Sequence, residues 1–245
     1  MKILNQLLKL FFSFLFPDNC FNCQKNIGIT ENPVICSDCE KILIDNYKNS
    51  NLCRKCSRLF SLLLNEKYEN TVCPECQKTD FAFTFNCSLG PLNGIWKDLV
   101  YNFKFSNHYR VADFIAHYIS VYFNWFIKNK IIISVPDTPF ARFKKGKSSV
   151  HYICRLLSRR YNFCYYYDVL NKVKKCKKQK TLKRDERYEN VKNAFLVKKG
   201  HLIKGKEIVL VDDVFTTGAT VNECSKILLS AGAKSVAVLT FAREN

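Results

Sequence analysis

The sequence predicts an α/β protein: a parallel sheet covered by helices on both faces, with a small metal-dependent unit in front of it. Three features lead there. From Ile131 onward, short apolar runs alternate with helical patterns, as in parallel sheets buried on both faces. One run, Ile208-Val209-Leu210-Val211, leads into two acids and a glycine-bearing turn. Eight of the thirteen cysteines form four Cys-x-x-Cys pairs, all upstream of residue 80.

Residues 1–16 read as a short amphipathic helix packed on the rest of the protein. Their apolar run, Leu10–Phe16, is too short to span a bilayer, and no small-residue cleavage site follows it. The chain is therefore placed in the cytoplasm, with peripheral contact at the inner face of the membrane as the second reading.

Residues 17–79 carry Cys20/Cys23, Cys36/Cys39, Cys53/Cys56 and Cys73/Cys76. Two residues between partners is chelate spacing, so the eight thiols predict two structural zinc ions with no position left for water. Short polar connectors cannot bury much core, and metal is expected to supply about 10–16 kcal/mol of folding energy per site. Spacing leaves the pairing open between sequential units and an interleaved cross-brace. Connectors of 12 and 16 residues inside the sequential units fit ribbon hairpins. The other cysteines (Cys87, Cys154, Cys164, Cys176 and Cys224) are scattered, as expected for reduced thiols.

The third unit is residues 80–245. Alternation over Phe81–Cys87 predicts a strand, and helical spacing predicts helices over Gly94–Phe105 and Arg110–Lys128. Further strands are expected at Ile131–Val135, Cys164–Leu170, Glu207–Val211 and Ser235–Phe241. Helices are expected at Ser148–Tyr161 and Thr220–Ala231, with a polar basic loop over Asn171–Tyr188.

The formal charge of +18 has one address: Lys128 to Lys206 holds 23 basic and 5 acidic residues, and the rest holds 16 of each. Two tetrathiolate zinc sites would lower the net charge only to about +14. The loop Lys172–Arg187 alone has nine Lys or Arg residues. It is a candidate lid over a polyphosphate, a nucleic-acid contact, or a solvated flexible loop. Lys144, Lys145, Lys147, Lys177, Lys178, Arg184 and Arg187 are the candidate lid or DNA contacts. Tyr165, Tyr166 and Tyr167 are candidate stacking platforms, although alternation along a strand would bury at least one.

The sharpest motif is Asp212-Asp213-Val214-Phe215-Thr216-Thr217-Gly218-Ala219-Thr220. Two carboxylates at the end of a buried strand can accept hydrogen bonds from a vicinal diol. Gly218 permits a tight backbone, and a helix start offers N–H groups to a phosphate. Thr220-Val221-Asn222-Glu223 also fits a capping box.

This segment resembles the phosphoribosyl-diphosphate (PRPP) loop of type I phosphoribosyltransferases. With the upstream cysteine pairs, the chain resembles the ComF family, competence-associated phosphoribosyltransferase-like proteins with an N-terminal double zinc ribbon. Leu99–Phe105, Ser134-Val135-Pro136 and Arg187–Phe195 are similar to further family segments. The resemblance implies the type I fold and sequential zinc pairing. It implies a ribose held at Asp212 and Asp213, a 5-phosphate held by Thr216, Thr217, Gly218, Ala219 and Thr220, and Mg²⁺ on the pyrophosphate and ribose oxygens. It also implies a role in DNA uptake, with single-stranded DNA and uptake-machinery proteins as partners. Two segments depart from the family pattern: Lys145-Gly146-Lys147-Ser148-Ser149 stands for Arg-Gly-Phe-Asn-Gln, and Cys176-Lys177-Lys178-Gln179 for Thr-x-x-Gln. The competing functions are an active nucleobase or amine phosphoribosyltransferase and a non-enzymatic nucleic-acid-binding module with a vestigial site. No residue, including the four histidines, is assigned a catalytic role.

Overall fold

The computed structural model describes residues 19–27, 34–48, 51–59, 71–106, 109–137, 149–174, 176 and 184–244. Its centre is a five-stranded, all-parallel sheet in the order β1-β7-β6-β2-β3. The strands are β1 (Asn86–Ser88), β2 (Ile131–Ser134), β3 (Cys164–Tyr165), β6 (Glu207–Phe215) and β7 (Ser235–Arg243). A separate antiparallel pair joins β4 (Leu170–Lys172) to β5 (Phe195–Val197).

Side-chain alternation sorts the core into two layers. Val209 and Val211 of β6 face a layer that includes α3 (Gly94–Ser106), α4 (Tyr109–Tyr122), α5 (Asn124–Ile127) and α6 (Ser149–Tyr161). Ile208 and Leu210 face the other, with α8 (Ala219–Ser230) and the small antiparallel pair. A strand buried on both faces must be apolar at every position, which is why its sequence runs without alternation.

The cysteine units share these layers. Cys20, Cys36 and Cys39, with Ile27, Val34, Ile35 and Leu43, are buried in the first layer beside Trp96 and Leu99. Here α1 (Ser37–Lys48) begins inside its second knuckle and carries Cys39. Cys53, Cys56, Cys73 and Cys76 lie in the second layer with Phe81, Phe83 and Phe215. There α2 (Pro74–Gln77) is one turn beginning at a proline, a residue that suits the first helical position because its missing N–H would be unpaired anyway. The expectation of little core in this unit is corrected: both halves insert apolar residues into the layers flanking the sheet.

Four element assignments are also corrected. Phe81–Phe85 is bent, and only Asn86–Ser88 forms a strand. Phe81 and Phe83 turn inward, while Lys55 reaches up to donate to both their carbonyls. The run Cys164–Leu170 is two strands of different sheets, separated by a turn in which Asp168 has φ of 61°. The basic loop contains β4 at one end and α7 (Arg184–Val191) at the other, and β5 follows unannounced. Finally, β6 continues through both acids to Phe215, because its pairing with β7 runs on to Arg243.

Candidate functional site

The acids owe their setting to unequal neighbours. On one side of β6 the pairing with β2 ends at Ser134 opposite Val211, with one further bond from the Val135 N–H to the Val211 carbonyl at 2.8 Å. On the other side, β7 continues alongside, with Thr240 opposite Asp212. Asp212 and Asp213 therefore sit inside the strand but beyond the end of β2, at the carboxyl edge of the sheet, the edge at which open α/β sheets bind ligands. Both are partly exposed. Asp212 Oδ1 accepts from the Asp213 N–H at 2.9 Å, and Asp213 Oδ1 from the Val214 N–H at 2.8 Å. These bonds orient both carboxylates, groups that accept several hydrogen bonds each.

The turn that follows is shaped by Gly218, at φ 80°. A Cβ there would lie 2.6 Å from Phe215 Cζ and 2.9 Å from Phe81 Cε1. Glycine is thus required twice, for handedness and for space. Gly218 is also the N-cap of α8 and supplies no side-chain cap, so the first-turn N–H groups lack intrahelical acceptors, the arrangement that suits a phosphate. Ala219 N–H has the Thr217 hydroxyl at 3.4 Å. The capping box expected at Thr220 and Glu223 does not form. Glu223 instead accepts from the Asn193 N–H at 2.8 Å, tying the segment after α7 to α8.

Underneath, Phe81 stacks on Phe83 at 4.7 Å, and Phe215 meets both edge-on. Asn222, buried in the first turn of α8, accepts from the Ala82 N–H at 2.8 Å. From above, the Tyr188 hydroxyl on α7 donates to the Thr217 carbonyl at 2.9 Å, and Arg187 Nη1 lies 3.9 Å from the Glu244 carboxylate. Arg187 is thus brought next to the turn. Arg184 lies at the start of α7, while Lys144, Lys145, Lys147, Lys177 and Lys178 fall outside the described residues, as does segment 1–16.

The eight cysteines form two four-thiol clusters in sequential order: Cys20, Cys23, Cys36 and Cys39, then Cys53, Cys56, Cys73 and Cys76, with all sulfurs of a set within 4.8 Å of one another. Zn–S bonds of about 2.3 Å place tetrahedral ligands about 3.8 Å apart. Cys23–Cys36 at 3.7 Å and Cys56–Cys73 at 3.8 Å fit that geometry. Matching backbone N–H donors point at both sets, from Cys36 to Cys20 Sγ at 3.3 Å and from Cys73 to Cys53 Sγ at 3.2 Å. Burial raises the Cys20 thiol, yet the N–H groups of Cys23, Cys36 and Asn22 outweigh it and bring it down to about 6. The donor set fits zinc, and with no ligand position open the metal would be structural.

The second cluster is built into the sheet. The Lys55 carbonyl accepts from the Asn86 N–H at 2.8 Å, the Cys56 carbonyl from Asn86 Nδ2 at 3.2 Å, and Ser57 donates to the Asn86 carbonyl at 2.7 Å. A knuckle therefore covers the open edge of β1, which would otherwise present unpaired backbone groups. Arg243, on β7 and only 2% exposed, reaches Cys56 Sγ at 3.9 Å and donates to the Phe215 carbonyl at 3.3 Å.

Sequence reasoning missed the roles of Arg243, Asn222 and Tyr188, whose partners are distant in sequence. It also missed a cluster beyond β2: Tyr165 Oη lies 2.9 Å from Ser134 Oγ and 2.6 Å from His151 Nδ1, and the Tyr167 ring lies 4.4 Å from the His151 ring. Tyr165 is thereby tied down and Tyr166 packs on the core, which leaves Tyr167 as the exposed member of the three. Burial pushes the Cys154 and Cys224 thiols up, consistent with a packing role.

Residues 153–245 match the phosphoribosyl transferase domain, and residues 11–79 the double zinc ribbon domain. Competence protein F of Haemophilus influenzae is 28% identical over 240 residues, covering 95% of this chain and 98% of that protein. Competence protein ComFC of Streptococcus pneumoniae is 26% identical over 225 residues, covering 82% and 92%. DNA utilization protein YhgH of Escherichia coli is 33% identical over 112 residues, covering 46% and 48%. The chain is thus a homologue of competence protein F and ComFC over most of its length, built of a double zinc ribbon and a phosphoribosyl transferase domain.

Proposed function

We propose that the chain binds PRPP with Mg²⁺ at the carboxyl edge of its sheet and acts in DNA uptake, carrying single-stranded DNA on its basic face. The observation that carries the ligand assignment is the position of Asp212 and Asp213 past the end of β2, immediately before the Gly218 turn. Ribose hydroxyls would donate to the two carboxylates, and the 5-phosphate would take N–H groups from Thr216 to Thr220. With Mg²⁺ on its pyrophosphate, the ligand would be repelled less by the Asp212 and Asp213 carboxylates. Arg187 and Tyr188 would close over the turn from α7. The competence and DNA-utilization relatives and the basic region, rather than the site itself, support the DNA-uptake role.

Calorimetric titration of zinc-loaded protein with PRPP tests the ligand. Binding that needs Mg²⁺ and is lost in Asp212→Asn/Asp213→Asn is expected; no binding by the folded wild type sinks the assignment. In an active transferase, an acceptor nitrogen would bond to ribose C1 as the C1–O bond to pyrophosphate breaks. Pyrophosphate release on adding a base or amine would establish that reading.

A further inference from the structure

A cavity of about 520 Å³ lies at the opposite pole of the sheet, against the amino ends of β2, β3 and β6. Lys206 and Asp212 are six residue steps apart along β6, a distance of about 20 Å along an extended strand. Ligands of open α/β sheets bind at the carboxyl edge, so this cavity is no part of the sugar-phosphate site. Its volume lies within the usual range for small-ligand sites.

The lining has a definite chemistry. Lys128, Lys130 and Lys206 contribute three cations, and no acid lines the cavity. Glu207, the acid next along the chain from Lys206, is already paired with Lys234 at 2.9 Å. Lys130 donates to the Phe126 carbonyl at 2.6 Å, which holds its ammonium in place, while Lys128 and Lys206 are exposed. The lining also carries aromatic rings: Phe163 and Tyr166 are half-buried there, packed against different layers of the core, and among the described residues no ring contact to either is seen. Lys128 and Lys206 are also the two ends of the basic region. The fold brings them to one mouth.

We propose that this cavity binds a nucleoside phosphate, its phosphate on Lys128 and Lys206 and its base on the aromatic lining. Cations for phosphate and a ring face for a base are the two devices by which single strands are held without sequence preference. The source is a unit of single-stranded DNA or a free nucleotide. The DNA source rests on the DNA-handling reading above.

Cys164, exposed on the same lining, supplies an internal reporter. The test uses zinc-loaded full-length protein, a labelled oligothymidylate and free thymidine monophosphate, with the charge-reversed Lys128→Glu/Lys206→Glu variant. Anisotropy should show oligonucleotide affinity about tenfold or more weaker in the variant, with the slope of log affinity against log salt reduced by about 1.4 for two lost contacts. Oligonucleotide should slow alkylation of Cys164 in the wild type, read by peptide mass spectrometry. PRPP titration should be unchanged in the variant. Protection by thymidine monophosphate alone assigns the cavity to free nucleotide. If wild type and variant bind DNA equally and neither ligand protects Cys164, the cavity is not the site, though the DNA-handling reading stands. If the wild type binds neither ligand, the proposal and the DNA-handling reading both fail.

Discussion

Arg243 Nη2 lies 3.9 Å from Cys56 Sγ, and the same guanidinium donates through Nη1 to the carbonyl of Phe215. One buried cation thus touches both a thiol of the second cluster and the end of the strand that carries Asp212 and Asp213. Its guanidinium also lies 4.9 Å from the Phe215 ring centroid. No carboxylate pairs with it among the described residues. A tetrathiolate zinc site, with formal charge −2, would be the counterion that makes a buried arginine reasonable.

Replacing Arg243 by Met should therefore cost more than packing alone. Removing one partner of a buried charge pair costs about 3–5 kcal/mol, and loss of an outer-shell partner weakens metal affinity about 10–100-fold. Thermal melts and zinc competition against a chromophoric chelator check this. Unchanged zinc retention would show that Arg243 does not respond to the cluster's charge.

Metal removal should reach beyond the ribbon. The protein should release two zinc ions per chain, one per cluster, on thiol modification. Because the Lys55–Ser57 backbone covers β1 and the first cluster shares a layer with buried Trp96, stripping should also red-shift tryptophan emission. A chelated protein with native emission and an unchanged melt would contradict this coupling.

Gly218→Ala should damage the turn without touching the acids. The left-handed conformation costs an ordinary residue about 1–2 kcal/mol, and the clash with Phe215 and Phe81 adds about 1–3 kcal/mol if the rings must move. PRPP affinity should fall with stability, measured by calorimetry on the folded fraction.

Tyr188→Phe removes only the hydroxyl that donates to the Thr217 carbonyl. Loss of one such bond costs about 1 kcal/mol, so the melt should move slightly. If α7 closes over the ligand, PRPP should dissociate several-fold faster, while the association rate changes little. Equal dissociation rates would remove α7 from the site.

Much of this arrangement was legible because it is local. An apolar run, an acid pair and a glycine turn are contiguous, so β6, its turn and α8 could be read in order, and Cys-x-x-Cys spacing likewise announced the clusters. What escaped depends on distant partners. Phe81–Phe85 alternates like a strand, yet its bend is set by Phe215 and by Lys55, far away in sequence. The capping box failed because Asn193 claims Glu223. Arg243, near the chain end, reads as a solvated charge until β7 carries it to Cys56. The extent of β6 was missed because β7, not its own composition, prolongs it.

The most direct measurement is a crystal structure of the zinc-loaded protein with PRPP and Mg²⁺. Ribose hydroxyls are expected on the Asp212 and Asp213 carboxylates and the 5-phosphate in the Thr216–Thr220 turn. Ligand density elsewhere, or an empty turn at saturating PRPP in crystals that leave it open, would contradict it.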